Sequence, residues 1–144
     1  MRTIEDYLKL NKDKKIWHMS KEQTVRQALI LMSQKNIGAI IILENDTKLV
    51  GIFSERDYAR KVILEGKGSQ NTTLDEVMSK NLICISKKHT IEQCMEKMTD
   101  KRIRHLPILE NNEVIGIISI GDVLKIMINE QKDLINHYQR FISS

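Results

Sequence analysis

A chain of 144 residues with 41% hydrophobic and 29% charged residues has the composition of a globular domain with a real core, which excludes disordered and low-complexity classes. Six glycines and one proline exclude collagen-like and linker-rich structure. The net charge of +4 comes from lysines and arginines spread along the chain, apart from the cluster Lys12, Lys14, Lys15, and aromatic residues are only 4%, so a solvated basic surface is expected rather than a nucleic-acid interface.

The first residues turn acidic by Glu5 and lead into no apolar run, so no signal peptide is expected, and no later stretch approaches a membrane span. Thr3-Ile4-Glu5-Asp6 has the form of a capping box opening a short helix to Leu10. A short strand is expected over residues 16–19, then a helix over 24–35. Val25, Ala28, Leu29 and Met32 fall at helical spacing there, with Thr24 as N-cap. A β-rich run at 38–43, a polar turn at Glu44-Asn45-Asp46 and an apolar strand at 49–53 make a hairpin signal. A second helix starts at Ser54.

The pattern then repeats. Residues 20–45 and 86–111 align at an offset of 66, with eleven identities that include Ile42-Leu43-Glu44-Asn45 against Ile108-Leu109-Glu110-Asn111. The second unit reads as a strand at 82–85, a helix at 90–101 with Ile91, Cys94, Met95 and Met98 on one face, a run at 104–109, a turn at Glu110-Asn111-Asn112, a strand at 114–118 and a helix from Ser119. Each unit is β-α-β-β-α and too small to bury its sheet alone, so an α/β fold of two packed copies is expected. The expected divisions are an N-terminal helix and lead-in (1–14), the first unit (15–66), a linker (67–80), the second unit (81–128) and a C-terminal helix extension (129–144). In that last helix, Val123, Leu124, Met127, Ile128, Gln131, Leu134, Ile135, Tyr138, Phe141 and Ile142 hold a long stripe, suited to an oligomer seam or a cover for the core. Cys84 and Cys94 form no CxxC, and Cys84, His89 and Cys94 lack a fourth ligand at zinc spacing, so no metal is expected. They read as small buried hydrophobes of a reducing compartment, and a cytoplasmic location follows.

Two constellations carry chemistry. Gly51-x-x-Ser54-x-x-Asp57 and Gly116-x-x-Ser119-x-x-Asp122 each sit where a strand turns into a helix. Ser and Asp there can be helix caps and nothing more. They can also serve a ligand, the helix start and hydroxyl facing a phosphate and the carboxylate accepting two ribose hydroxyls. Repetition after an identical strand-Gly start, and Arg56 in the first copy, favour the ligand. The second constellation is Lys101-Arg102-Ile103-Arg104-His105-Leu106-Pro107. On a strand, Arg102 and Arg104 would share one face and Ile103 and His105 the other, so a basic residue should face the space between the units. The aligned segment Asn36-Ile37-Gly38-Ala39-Ile40-Ile41 is uncharged, so the two pockets should be unequal.

At these residues the sequence resembles the CBS-motif family, from about residue 15 to 127. The likeness rests on the Thr-Val helix start, Leu-Val-Gly-Ile-Phe-Ser-Glu-Arg-Asp, Arg-His-Leu-Pro and Val-Ile-Gly-Ile-Ile-Ser-Ile-Gly-Asp-Val. Among stand-alone CBS pairs it is similar to those carrying Ser-Glu-Arg-Asp-Tyr-Ala-Arg-Lys and Arg-Ile-Arg-His-Leu-Pro. The resemblance implies two motifs packed on pseudo-twofold symmetry, commonly dimerised, with adenosyl ligands in the cleft. It implies that Asp57, with Ser54 and Arg56, holds one ribose, that Arg104 and His105 hold its phosphate, and that Ile16, Trp17 and Ile52 border the adenine. The other site would use Asp122 and Ser119, with Leu82, Ile83 and Ile117 near the base, Gly121 in place of Arg56, and Gly38 and Ala39 supplying no cation. The Asp57 site is expected to bind the phosphorylated ligand more tightly.

The implied function is a non-catalytic sensor binding AMP, ADP, ATP, NAD(H) or S-adenosylmethionine, as a homodimer that regulates a protein partner. A ligand-free interaction scaffold is the alternative. No nucleophile-base pair, metal set or phosphate loop points to an enzyme.

Overall fold

Threonine and serine caps set where the helices begin. In the computed structural model, which describes residues 2–143, Thr3, Thr24, Ser54, Thr73 and Thr90 each form a reciprocal capping box with the residue three positions on. Met1 and Ser144, the outermost residues of the two expected end segments, lie outside the described residues. The elements run α1 (Ile4–Leu10), β1 (His18–Met19), α2 (Val25–Lys35), β2 (Ala39–Glu44), β3 (Lys48–Ser54), α3 (Glu55–Asp57) continuing as a π-helical stretch (Tyr58–Ile63), α4 (Leu74–Val77), α5 (Ile91–Lys101), β4 (His105–Glu110), β5 (Glu113–Ser119) and α6 (Ile120–Ser143).

Both hairpins form as expected, β2 with β3 and β4 with β5, each with the same bulge, after Ile42 and after Ile108. Their turns carry Asn45 and Asp46, or Asn111 and Asn112, at positive φ, which Asn and Asp tolerate. β1 adds to β2 in parallel, pairing Met19 with Ile42. Its expected counterpart at 82–85 shrinks to one parallel bridge, Ile85 with Ile108, because only the Ile85 amide and carbonyl join the ladder. The helix expected from Ser54 has one α-helical turn and then widens. The Leu64 amide reaches back to the Ala59 carbonyl, and Val62 drops into the core with no exposure.

Two hydrophobic clusters result. The first gathers Val25, Ala28 and Met32 from α2, Ile40, Ile42 and Phe53 from the hairpin, and Leu74, Val77 and Met78 from α4 and its end. The second gathers Ile91, Cys94 and Met98 from α5, Leu106, Ile108 and Ile118 from the hairpin, Val123 from α6, and Ile4 and Tyr7 from α1. Each unit is therefore closed by the helix that leads into the other. Thr3 bridges Thr90, as Thr73 bridges Thr24. Thr3-Ile4-Glu5-Asp6, which looked like a segment apart from the repeat, is the structural counterpart of Thr73-Leu74-Asp75-Glu76. Burial pushes the Cys94 thiol up to about 11, the behaviour of a packing residue.

Candidate functional site

The polypeptide leaves β3 at Ser54 and later returns beside it, where the Ile52 and Ser79 amides and carbonyls exchange hydrogen bonds of 3.1 and 2.8 Å. That return opens a cavity of about 400 Å³ between the units, a volume typical of small-molecule sites. The first unit supplies Gly38, Ile52, Ser54, Glu55, Arg56, Asp57, Arg60 and Lys61 to its lining. The returning chain supplies Ser79, Asn81, Leu82 and Ile83, and the approach to β4 supplies residues 101–105 and Pro107.

Asp57 is the charged residue buried here, at 8% exposure. Its Oδ2 accepts from the Ser54 amide at 2.9 Å and the Ser54 hydroxyl at 3.1 Å, while the Asp57 amide donates to Ser54 Oγ at 3.2 Å. This is the helix cap, and it uses one carboxylate oxygen. Oδ1 accepts from the Ser79 hydroxyl and from Lys61 Nζ, each at 3.1 Å. Lys61 is half-exposed and can move away, so Oδ1 can be offered to another donor while Oδ2 keeps the cap.

The facing wall is cationic. α5 ends at Arg102 in the left-handed conformation (φ 54°), and Arg56 donates to the Arg102 carbonyl, clipping the units together. The expected strand alternation of residues 102–105 is corrected by this. Arg102 is a helix cap and the strand starts at His105, so the run from Lys101 to His105 wraps the cavity instead of splitting between two faces. The His105 ring lies against Gly38, where an added Cβ would sit 3.6 Å from its Cε1 and Nε2.

Burial holds the His105 imidazole below its ordinary range, with the nearby cations Arg104 and Lys14 adding to this and Asp122 opposing it. His105 is then neutral near neutrality, and a phosphate placed beside it would raise its pKa. Binding would take up a proton, so affinity for a phosphorylated ligand should rise as pH falls from about 8 to about 6. Stability should move the opposite way: the unfolded chain protonates first as pH falls through about 6.5, which favours unfolding. Titration calorimetry across that window, on wild type and His105→Ala, should find the rise in affinity flattened in the variant.

The second Ser-x-x-Asp is furnished differently. Asp122 Oδ2 lies 2.9 Å from the Ser119 amide, 3.2 Å from the Tyr7 hydroxyl and 3.6 Å from Lys14 Nζ. The Tyr7 hydroxyl is also 3.2 Å from the Ile117 carbonyl, and Lys14 Nζ donates to it at 3.1 Å. Burial raises the Asp122 pKa, but the Ser119 amide, Lys14 and the Tyr7 hydroxyl outweigh it and hold the carboxyl below its usual value. Burial and the neighbouring Asp122 carboxylate push the Tyr7 phenol well up.

The structure thus brings Ile52, Ser54, Arg56, Asp57, Gly38, Arg104 and His105 to one cavity, as expected for the Asp57 site apart from Gly38. It also places Leu82 and Ile83 there, not beside Asp122. Ile16 and Trp17 do not line the cavity. Trp17 instead lies under two ammonium groups, Lys15 at 4.7 Å and Lys35 at 4.4 Å. The reason is the exchange of leading segments: the stretch before each unit runs past the other unit's carboxylate, so Leu82 follows Ser79 to Asp57 and Lys14 follows Tyr7 to Asp122. Gly38 packs under His105, and Ala39 is buried in the strand. Ser119, Ile117 and Asp122 remain together on the second side.

Sequence reasoning missed Arg60 and Lys61, which stand one turn beyond Asp57 and were findable from helical spacing. It also missed Ser79, Asn81, Tyr7 and Lys14, which only long-range pairing brings in. Among the described residues no group of His, Cys, Asp and Glu could hold a metal ion, and no helix is long and apolar enough to cross a membrane.

The sequence profile of the CBS domain matches residues 12–64 and again 74–129. A mitochondrial CBS domain-containing protein of Arabidopsis thaliana, CBSX3, is 34% identical over 125 residues, covering 84% of this chain and 61% of the relative, so the chain spans less than two thirds of that protein. YhcV of Bacillus subtilis is 35% identical over 105 residues, covering 73% of this chain and 74% of its own. Among solved structures, a protein with CBS domains from Burkholderia ambifaria superposes with a TM-score of 0.85 at 38% identity, covering 90% of this chain and 96% of its own. The CBS domain pair of MJ0100, solved with 5′-methylthioadenosine and S-adenosyl-L-methionine, shares the fold (TM-score 0.79) at 22% identity, covering 90% of this chain and 98% of that one.

Proposed function

Since this chain belongs to the CBS-domain family, with two tandem matches, we propose that it is a non-catalytic regulatory module whose Asp57 cavity takes an adenosine nucleotide. The observation that carries the reading is the Asp57 carboxylate, buried at the floor of a cavity with one oxygen committed to the cap and the other held by displaceable donors. A ribose diol donating to Oδ1 would release Lys61. Ile52, Leu82 and Ile83 offer apolar surface for the base, and Arg56 and Arg104 in the same lining are suited to a 5′-phosphate. The MJ0100 pair, a protein of the same fold, carries adenosyl ligands.

On the Asp122 side Tyr7 and Lys14 both meet the oxygen that caps Ser119, and Gly121 and Gly38 stand where the first site has Arg56 and Arg104, so one nucleotide per chain is expected to bind tightly. Calorimetric stoichiometry checks this, and two equivalent sites per chain would refute it. In this reading the module acts as a homodimer in a reducing compartment such as the cytoplasm and regulates a protein partner. The exposed Leu124, Ile128, Leu134, Ile135 and Tyr138 along α6 support the self-association.

A thermal-shift panel with AMP, ADP, ATP, NAD, NADH and S-adenosylmethionine tests the reading. A ligand at about 100 times its dissociation constant adds about 2.7 kcal/mol of stability, a shift of many degrees for a domain of this size. If none shifts the protein, and denaturation releases no retained nucleotide, the ligand-free scaffold replaces it.

A further inference from the structure

The repeat supplies an internal control for the cations of the Asp57 cavity. Arg56, Arg60, Lys101, Arg102 and Arg104 all line it, and among the described residues none of them is ion-paired with a carboxylate. Lys61, the sixth cation of the lining, is the one that pairs, with Asp57. The same backbone positions in the other unit hold Gly121, Lys125, Lys35, Asn36 and Gly38. At three of the five, Arg56, Arg102 and Arg104, the other unit folds without a cation, so folding does not call for the charge there. Asn36 ends α2 at φ 53° and ψ 49°, and Arg102 ends α5 at φ 54° and ψ 43°, so the two caps are superposable. Asn suits that left-handed position and Arg does not, since a bulky side chain there has no local hydrogen bond to offset the crowding.

Five unpaired cations around one opening repel one another, and water screens that repulsion only in part. An anion in the cavity relieves it, and the relief grows with the anion's charge. In the proposed reading one 5′-phosphate takes Arg56 and Arg104. That leaves Arg60 on the π-helical stretch and Lys101-Arg102 at the end of α5 as a further group of donors with nothing to bind.

We infer that the cavity selects a nucleoside polyphosphate, with Arg60, Lys101 and Arg102 holding the phosphates beyond the first, over the monophosphate, the uncharged nucleoside and a cationic sulfonium nucleoside. This rests on the adenosyl reading above and adds the charge class of the ligand to it.

Titration calorimetry at one fixed ionic strength, with adenosine, AMP, ADP, ATP, S-adenosylmethionine and inorganic tripolyphosphate, tests the inference on wild type and on Arg60→Ala/Arg102→Asn. The second substitution installs the residue that ends α2, so the helix cap is kept. Affinity should climb from adenosine to ATP, with ATP at least about tenfold tighter than AMP and the margin shrinking as salt is added. In the variant, which keeps Lys101, the ATP-to-AMP ratio should fall by at least about threefold, with AMP affinity retained. A flat series, or an unchanged ratio in the variant, overturns the inference while the adenosyl reading stands. Tripolyphosphate bound as tightly as ATP, with adenosine and AMP silent, overturns the adenosyl reading and supports the charge selection. No binding by any compound overturns both.

Discussion

Replacing Asp57 by Asn is expected to lower adenine-nucleotide affinity by about 100-fold, the equivalent of one or two charge-assisted hydrogen bonds. Asn has the size and shape of Asp, so the cavity keeps its form. The amide keeps one acceptor but presents a donor in place of the second, and it no longer carries the charge that strengthens both ribose contacts. Some stability is lost as well, because Oδ2 serves the cap on Ser54 and Oδ1 holds Ser79 and Lys61. The control is therefore Asp122→Asn, which disturbs the matching cap on Ser119 and lines no part of the Asp57 cavity, reaching it only through the charge that His105 feels. Calorimetric titration of both variants decides the matter. Binding that survives Asp57→Asn and vanishes with Asp122→Asn would move the site to the other half of the module.

The second large effect is on stability. Ile4→Ala should cost about 2–5 kcal/mol in urea unfolding, the range for truncating a buried aliphatic side chain. Ile4 lies within the first turn after Thr3, close to a chain end where little is usually lost. Here its side chain has no exposure, and its amide donates to the His89 carbonyl at 2.9 Å. Leu74→Ala, at the matching position of α4, should cost a similar amount by opening the first core. Leu10→Ala, at 70% exposure, should change stability by less than about 0.5 kcal/mol. Loss below about 1 kcal/mol for Ile4→Ala would show that α1 is not part of the second unit's core.

Much of the fold could be read locally. Caps at Thr24 and Thr90, hairpin turns at Asn45-Asp46 and Asn111-Asn112 and the apolar faces of α2 and α5 all depend on residues within a few positions of one another. What escaped depended on distance. Thr3 and Thr73 stand 70 residues apart while Ser20 and Ser86 stand 66 apart, so four extra residues in the first lead-in broke the repeat and hid the kinship of α1 with α4. For the same reason the place of Leu82 and Ile83 in the lining with Asp57 is not legible in the sequence. Nothing in their own neighbourhood reports that Ser79 pairs with Ile52 across the turn of the chain. Asp57, Arg56, Arg104 and His105 were legible because motif and charge are written in the residues themselves. Lys61 and Ser79 were not, since each matters only through the carboxylate oxygen it reaches.

The exchange of leading helices also gives synthesis on the ribosome a direction. The first core needs nothing beyond Met78, so it can be completed while the rest of the chain is still being made. The second needs Ile4 at one end of the chain and Val123 near the other. Until residues around His89 and Thr90 emerge, α1 has no surface to dock on, and seven residues of helix are too few to persist alone. α1, made before every other described element, is thus among the last of them to be fixed, and its arrival fastens the finished second half to the first.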